Sequence, residues 1–359
     1  MKVTFLVPST RRAIGGVISL YEFANGLSRR GHEVRLVHLP VVDGHIDHLD
    51  DVAWFPFEPL VEHQLVHSLE EMQAPDADFV ELTALKCFAD AWPTGRSDER
   101  VPRSAGLPFL FIQAHQYLAP HIEEGVFRTP CPKICIATCM VAALEREGVP
   151  PEQLTYVPYG LDHDTFRLVR PIADRPLQVT MLYNSHPVKG ARFGLAAIEE
   201  VQRRIPGVRA VVFGNKDPAE PMPAGVTYVN SPSRRELVEE IYNGSRVFIC
   251  SSIREGFGMC AIEAMAGGCA LVTTANGGSE DYAIPGENAL VCAPRDIAGL
   301  ADRIERLLRS DELSTRVATR GYEFVQRYDW DDSARQVELF LERYAQPPAF
   351  FSAESSRFP

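Results

Sequence analysis

Residues 254–268 read Arg254-Glu255-Gly256-Phe257-Gly258-Met259-Cys260-Ala261-Ile262-Glu263-Ala264-Met265-Ala266-Gly267-Gly268. Before them, Arg246–Ser251 (RVFICS) is an apolar, β-branched run of strand length, and after them Ala270–Thr274 (ALVTT) is another. The stretch between is therefore a strand–loop–helix–strand passage, one βα unit of a parallel sheet. Glycines on both sides of Phe257 let the backbone approach a ligand closely. Free N–H groups at the helix start after Gly258 suit an anion or a hydroxyl. Glu255 lies just before that helix and Glu263 further into it, with both side chains able to face one crevice. Such a pair of carboxylates suits a polyhydroxylated ligand. The same residues equally fit a favourable charge at a helix N-terminus and a solvated helix side chain. Spacing leaves both readings open.

Working outward, the same alternation runs through most of the chain. Strands are expected at Val3–Val7, Glu33–His38, Phe79–Leu82, Phe109–Gln113, Ile134–Ala137 and Leu154–Val157. A first helix carries Val17, Leu20, Tyr21, Ala24 and Leu27 at helical spacing and ends at Gly31. After a charge-mixed linker, Arg167–Pro176, the pattern restarts. It continues as strand (177–183), helix (190–205), strand (208–214), strand (226–230), helix (234–243), and then the passage quoted above. Helices are expected over Asp311–Gln326 and Asp331–Tyr344, followed by an aperiodic tail in which only Phe350 and Phe351 are candidates for packing. The expected fold is α/β, with two doubly wound, Rossmann-like parallel-sheet domains. The expected divisions are 1–168 for the N-terminal domain, 169–335 for the C-terminal domain and 336–359 for a C-terminal helix and tail. Ligands of such folds sit beyond the carboxyl ends of the strands, and here also in a cleft between the domains.

A chain of 359 residues, 45% hydrophobic and 23% charged, can bury two cores of this kind. No apolar run approaches the roughly 20 residues of a membrane span. The opening MKVTFLVPSTRR reads as a first strand in a cytoplasmic protein, because a secretory signal needs a longer apolar segment. The net charge of −12 argues against nucleic acid as a partner, since phosphate backbones require a basic face. Eight cysteines lie mostly inside apolar runs and suit reduced, buried thiols. Cys131, Cys135 and Cys139 are evenly spaced, but on an extended chain that spacing separates neighbours by about 13 Å, too far to share one ion. Asp76-Ala77-Asp78 and Asp162-His163-Asp164 each form an Asp-x-Asp triplet, without further oxygen ligands nearby in sequence. No metal site and no cofactor are expected.

Glu255–Gly268 closely resembles the glutamate–seven residues–glutamate motif of retaining GT-B glycosyltransferases, specifically the large family 4 group (glycosyl transferases group 1). The resemblance extends along nearly the whole chain. It includes SRRELVEEIYNGSRVFICSS before the motif, NGGSEDYAIPGENALVC after it, and PYGLDHDTF at the turn between domains. It implies a GT-B fold whose C-terminal helix packs back toward the N-terminal domain, and transfer of a sugar from a nucleoside-diphosphate-sugar with retention, without metal. It further implies that Glu255 contacts the transferred sugar, that the backbone of Gly256, Phe257 and Gly258 holds sugar hydroxyls, and that Glu263 binds the ribose. Gly277, Gly278 and Ser279 are implied near the donor phosphates, although Asp281 stands where the family pattern has Glu. Tyr159 replaces the usual Asn of the interdomain turn, while Gly160 is retained.

Two phosphate sites follow from the same comparison. Gly15-Gly16 matches the family's N-terminal glycine loop, a turn opening a helix, although a plain strand–helix turn would read alike. Lys189-Gly190 follows the strand 177–183. The family's Arg five residues earlier is absent, and Asn184 stands there, with Arg254 and Arg12 as candidates to supply the charge. His115 stands where relatives often place a His near the reacting centre, with Gln113 and His121 as rivals. The acceptor is left open among glycan, small metabolite and lipid-linked carrier. Asp43–Glu71, with Trp54, Phe55 and Phe57, announces no partner. The first helix has no Lys or Arg before Arg29, which argues against stable membrane attachment. A hydrolase- or phosphorylase-like enzyme and an inactive sugar-nucleotide-binding subunit are the alternatives.

Overall fold

In a computed structural model describing residues 1–8, 10–11, 14–39, 46–67, 76–81, 106–114, 127, 130–218 and 221–345, this alternation forms two units. The first comprises Met1–Ile136, Met140–Pro158 and the segment from Trp330 onward; the second comprises Ala137–Cys139 and Tyr159–Asp329. The expected divisions at 168/169 and 335/336 therefore move to 158/159 and 329/330.

The first unit carries β1 (Lys2–Pro8), β2 (Glu33–Leu39), β3 (Glu62–Leu65), β4 (Phe79–Glu81), β5 (Leu107–Ile112), β6 (Lys133–Cys135) and β7 (Leu154–Tyr156). They form one sheet in the order β3-β2-β1-β4-β5-β6-β7, with every pairing parallel. Helix α1 (Gly15–Arg29) follows β1, and α2 (Thr138–Arg146) follows β6. Among the described residues, β3 is a strand missing from the expectations. Its sequence EHQL has no apolar alternation, because it is an edge strand bonded only to β2 and partly exposed. The strand-like run through the three spaced cysteines is also shorter than expected. Cys131 precedes β6 and Cys139 lies in the first turn of α2, so the extended-chain spacing does not apply.

The second unit carries β8 (Gln178–Leu182), β9 (Arg209–Gly214), β10 (Val226–Asn230), β11 (Val247–Cys250), β12 (Ala270–Thr274) and β13 (Ala289–Cys292). Their order is β10-β9-β8-β11-β12-β13, again wholly parallel. Around them lie α3 (Ala191–Arg204), α4 (Arg234–Glu236, continuing as a π-type turn over Leu237–Tyr242), α5 (Met259–Ala266), α6 (Ile297–Arg309) and α7 (Asp311–Val325). One face of the sheet packs Val179, Met181, Val212, Val247, Ile249 and Val272 against α3 and α6. Because helices cover both faces, the central strands β8, β11 and β12 are buried almost throughout rather than alternating. In each unit the first strand has its successor on one side and a later strand on the other. The resulting switch points lie between β1 and β4 and between β8 and β11.

Two further features depart from the expectations. The supposed linker is part of the second unit, held by Arg175, which is only 2% exposed. Its guanidinium donates to the carbonyls of Tyr242 (2.9 Å), Arg170 (3.0 Å) and Gly267 (2.6 Å) and to Asn243 Oδ1 (3.0 Å), while burial holds its pKa below the usual value. The C-terminal helix α8 (Trp330–Ala345) does pack on the first unit, as expected. Trp330 meets Phe23 of α1 edge-on at 5.4 Å, Arg29 pairs with Asp331 at 2.6 Å, and Arg30 and His32 pair with Glu338. Among the described residues, no helix is long and apolar enough to cross a membrane.

Candidate functional site

The second unit's switch point brings together two loops that are far apart in sequence. After β8 the chain makes a single 3-10 turn, Pro187–Lys189, and closes it at Gly190. After β11 it runs through Ser251–Gly258 into α5. The loops are sewn together by Ile253 N–H donating to Val188 O (2.7 Å) and Ser251 Oγ donating to Gly190 O (3.1 Å). Gly190 has φ +62°, and a Cβ there would stand 2.2 Å from Ser251 O, so a side chain would force the loops apart.

That contact places Lys189 against Glu255. The ammonium is ion-paired with Glu255 Oε1, and Ser252 Oγ donates to Oε2 at 2.7 Å. Burial works against the charged lysine, but the adjoining Glu255 carboxylate outweighs it and raises the Lys189 pKa. The backbone of Glu255 is fixed separately, its N–H donating to Asn276 O at 2.9 Å in a bridge beside Gly277. Asn184 does not replace the absent Arg as a charge. Its Oδ1 accepts from His186 N–H (2.8 Å) and shapes the turn that presents Lys189. Arg254 is exposed beside Glu255, and Arg12 lies outside the described residues.

Glu263 faces a different neighbour. It is 9% exposed on α5, and Tyr242 donates its hydroxyl to Glu263 Oε2 at 2.9 Å. Burial pushes its carboxyl up to about 7. Tyr242 is the last residue of the π-type turn in α4, and that turn brings the hydroxyl to α5. The two carboxylates thus have different partners, one cationic and one neutral, on the same loop–helix element. Cys260 lies close enough to interact electrostatically with both.

Phe257 is not a ligand-facing side chain. It is 1% exposed and its ring meets Tyr159 (5.4 Å), Tyr282 (5.7 Å) and Tyr328 (5.5 Å). The Tyr that replaces Asn in the interdomain turn therefore anchors this loop. What Gly256–Gly258 can offer is backbone. Gly258 is the N-cap of α5 at φ +104°, with no side-chain cap and no acidic residue in the first turn, which leaves the helix N-terminus attractive to negative charge. Gly278 packs behind this loop, against the carbonyls of Gly256 and Phe257. Ser279 is engaged internally, its hydroxyl donating to Thr274 O and its N–H to Asn276 Oδ1, both at 2.9 Å. Asp281 accepts from the Thr138 N–H (3.0 Å) and hydroxyl.

In the first unit, Gly15 and Gly16 open α1, whose N-cap Ile14 has no capping side chain. Gln113 donates to Gly16 O (3.1 Å) and Ser19 Oγ (3.3 Å), so it holds the glycine turn. His115 and His121 lie outside the described residues. Of the acidic triplets, Asp162 accepts from Thr165 N–H (3.0 Å) and faces Arg234 (3.5 Å), and Asp76 pairs with Lys2 (2.7 Å). Among the described residues, no group of three His, Cys, Asp or Glu side chains could hold a metal ion. Ser252, Tyr242 and Tyr282 are the site-forming residues missed in the sequence. Ser252 could have been suspected from its place three residues before Glu255, but Tyr242 and Tyr282 reach the site only through the fold.

Residues 162–324 match the family described as glycosyl transferases group 1. The chain is 27% identical over 224 residues to a D-inositol 3-phosphate glycosyltransferase of Frankia alni, covering 55% of each. It is 28% identical over 173 residues to a glycogen synthase of Mycobacterium tuberculosis, covering 45% of this chain and 42% of that one. The chain thus spans about half the length of the curated relatives it matches. Among solved structures it resembles sucrose-phosphate synthase from Thermosynechococcus elongatus (TM-score 0.75, 17% identity, 96% of this chain and 99% of that one). It also resembles Anabaena HepE in complex with UDP-glucose (TM-score 0.75, 16% identity, 96% and 100%). At these identities the likeness shows the fold, GT-B with its two Rossmann-like parallel sheets.

Proposed function

Because residues 162–324 match the glycosyl transferases group 1 family, we propose that the protein transfers a sugar from a nucleoside-diphosphate-sugar to an acceptor hydroxyl with retention of configuration. The observation that carries this reading is the Lys189–Glu255 ion pair, backed by Ser252, at the β8/β11 switch point. A cation and a carboxylate held side by side fit the two halves of such a donor. Lys189 and the uncapped α5 N-terminus take the diphosphate and stabilise it as it leaves, so that no metal is required. Glu255 and the Gly256–Gly258 backbone grip the transferred sugar, and Glu263 accepts from the ribose hydroxyls. The acceptor attacks from the face the diphosphate leaves, without a covalent intermediate. His115 near the reacting centre and Gly15-Gly16 toward the diphosphate belong to the same proposal. So does a cytoplasmic setting, in keeping with seven described cysteines that are all free thiols.

Anabaena HepE was solved with UDP-glucose, so a UDP-sugar is the first donor to test, followed by GDP-, dTDP- and ADP-sugars. A true donor raises the Tm with the logarithm of its concentration above Kd and is consumed when an acceptor from the glycan, metabolite or lipid-linked classes is added. Glu255→Ala is expected to cut transfer by about 100-fold or more while leaving the fold intact. Unchanged turnover in that variant would remove Glu255 from the reaction. Asn184 in place of Arg favours a second reading, a sugar-nucleotide-binding subunit without turnover. That reading predicts donor-induced stabilisation with no acceptor-dependent release of nucleoside diphosphate.

A further inference from the structure

Beneath the Gly256–Gly258 loop lies a polar group with nothing to bond to. Tyr282 is fully buried, its ring packs against Phe257 at 5.7 Å, and its hydroxyl has no hydrogen-bond partner. A buried, unpaired hydroxyl destabilises a fold, and phenylalanine would fill the same space without that penalty. Its position suggests what the oxygen is for. A Cβ built on Gly258 would lie 2.4 Å from the Tyr282 oxygen and 3.4 Å from Glu255 Cγ, so hydroxyl and carboxylate stem flank a single point. Glu255 is held by Lys189 on Oε1 and by Ser252 on Oε2. A diphosphate competes for Lys189 and releases the carboxylate from the lysine side, so that it can turn toward the Tyr282 hydroxyl.

We propose that Tyr282 is a positioning residue whose hydroxyl donates to the Glu255 carboxylate once a nucleoside-diphosphate-sugar has drawn Lys189 away, fixing that carboxylate against the transferred sugar. This role rests on the glycosyltransferase reading above. It gives the unpaired hydroxyl a partner when the donor is bound. The cost borne by the empty protein thereby becomes an interaction made when the sugar is bound.

Tyr282→Phe removes the oxygen and keeps the ring. The expected result is a donor-free Tm raised by about 1–3 °C, as an unsatisfied group is lost. The nucleoside diphosphate, which by itself draws Lys189 away, should bind about threefold or more weakly, and kcat for sugar transfer should fall about tenfold or more. Tyr328→Phe is the control. Its hydroxyl already donates to Asp281 O (2.9 Å), so its loss should lower the Tm and spare kcat in the folded fraction. A lowered Tm for Tyr282→Phe would mean that the hydroxyl was partnered all along, and an unchanged kcat would mean that Glu255 does not need it. Either result overturns the assignment. Failure of the broader reading looks different, since the wild-type protein would then turn over none of the donors.

Discussion

At the scale of single residues, the site depends on two carboxylates that the fold treats differently. Glu255 is paired with an ammonium, whereas Glu263 is buried and accepts from the neutral Tyr242 hydroxyl, and burial raises its pKa to about 7. The second fact has a defined pH signature. A carboxyl that keeps its proton longer in the folded than in the unfolded chain stabilises the fold at low pH, and that contribution is lost as pH rises from the unfolded value near 4.5 through about 7. Glu263→Gln cannot ionise. Its stability advantage over the wild type should grow between pH 5 and 8, by on the order of 1–3 kcal/mol, and level off above. Paired denaturant titrations across that range check this, and a difference that does not change with pH would show that Glu263 is ionised throughout. Sequence spacing placed both carboxylates on one loop–helix element, but it gave no hint of which would be charged. Desolvation is set by Tyr242 and the sheet behind α5, not by the residues adjoining Glu263 in the chain.

At the scale of elements, what matters is how closely two βα loops approach. Gly190 ends the Lys189 turn in a left-handed conformation directly against Ser251 O. Gly190→Ala should therefore combine backbone strain with a clash and cost about 2 kcal/mol or more. Lys189 would be displaced from Glu255, so donor-induced stabilisation should weaken in the same variant. A chemical denaturation midpoint and a donor thermal shift, measured together, test both effects. Helix α4 shows the limit of reading elements from pattern. Helical spacing predicts an unbroken helix over 234–243, and the stretch is helical, with Ser233 capping it by accepting from Glu236 N–H (3.2 Å). The π-type turn over Leu237–Tyr242, which carries the Tyr242 hydroxyl to Glu263, has no sequence signature. It is selected by packing, because Tyr242 is fully buried between Phe213, Phe248 and Phe166.

At the scale of the whole molecule, each unit holds its own parallel sheet, and the first is completed by the last described helix. Helix α8 buries Trp330, Ala334, Val337, Phe340 and Leu341 in the first unit. At about 1.5–3 kcal/mol for each large apolar side chain, deleting it removes several kcal/mol from that unit alone. A chain ending at Asp329 should show one calorimetric transition sharply lowered and a second near its original temperature. A uniform loss of both would mean that the units do not unfold separately. The amino-acid sequence by itself determined the class of fold, the place of nearly every described strand, and the Glu255–Gly268 motif with Lys189. The fold class and the strands follow from local propensity, apolar periodicity and glycine placement, which act between residues near in the chain, whereas the motif and Lys189 were legible through the family resemblance. Tertiary structure alone decided where the units divide, that Arg175 is buried rather than part of a linker, that the Phe257 ring anchors its loop, and that Tyr282 carries an unpaired hydroxyl beside Glu255. Each of these depends on side chains brought together from distant strands, where burial and hydrogen-bond geometry decide the outcome and sequence proximity carries no information.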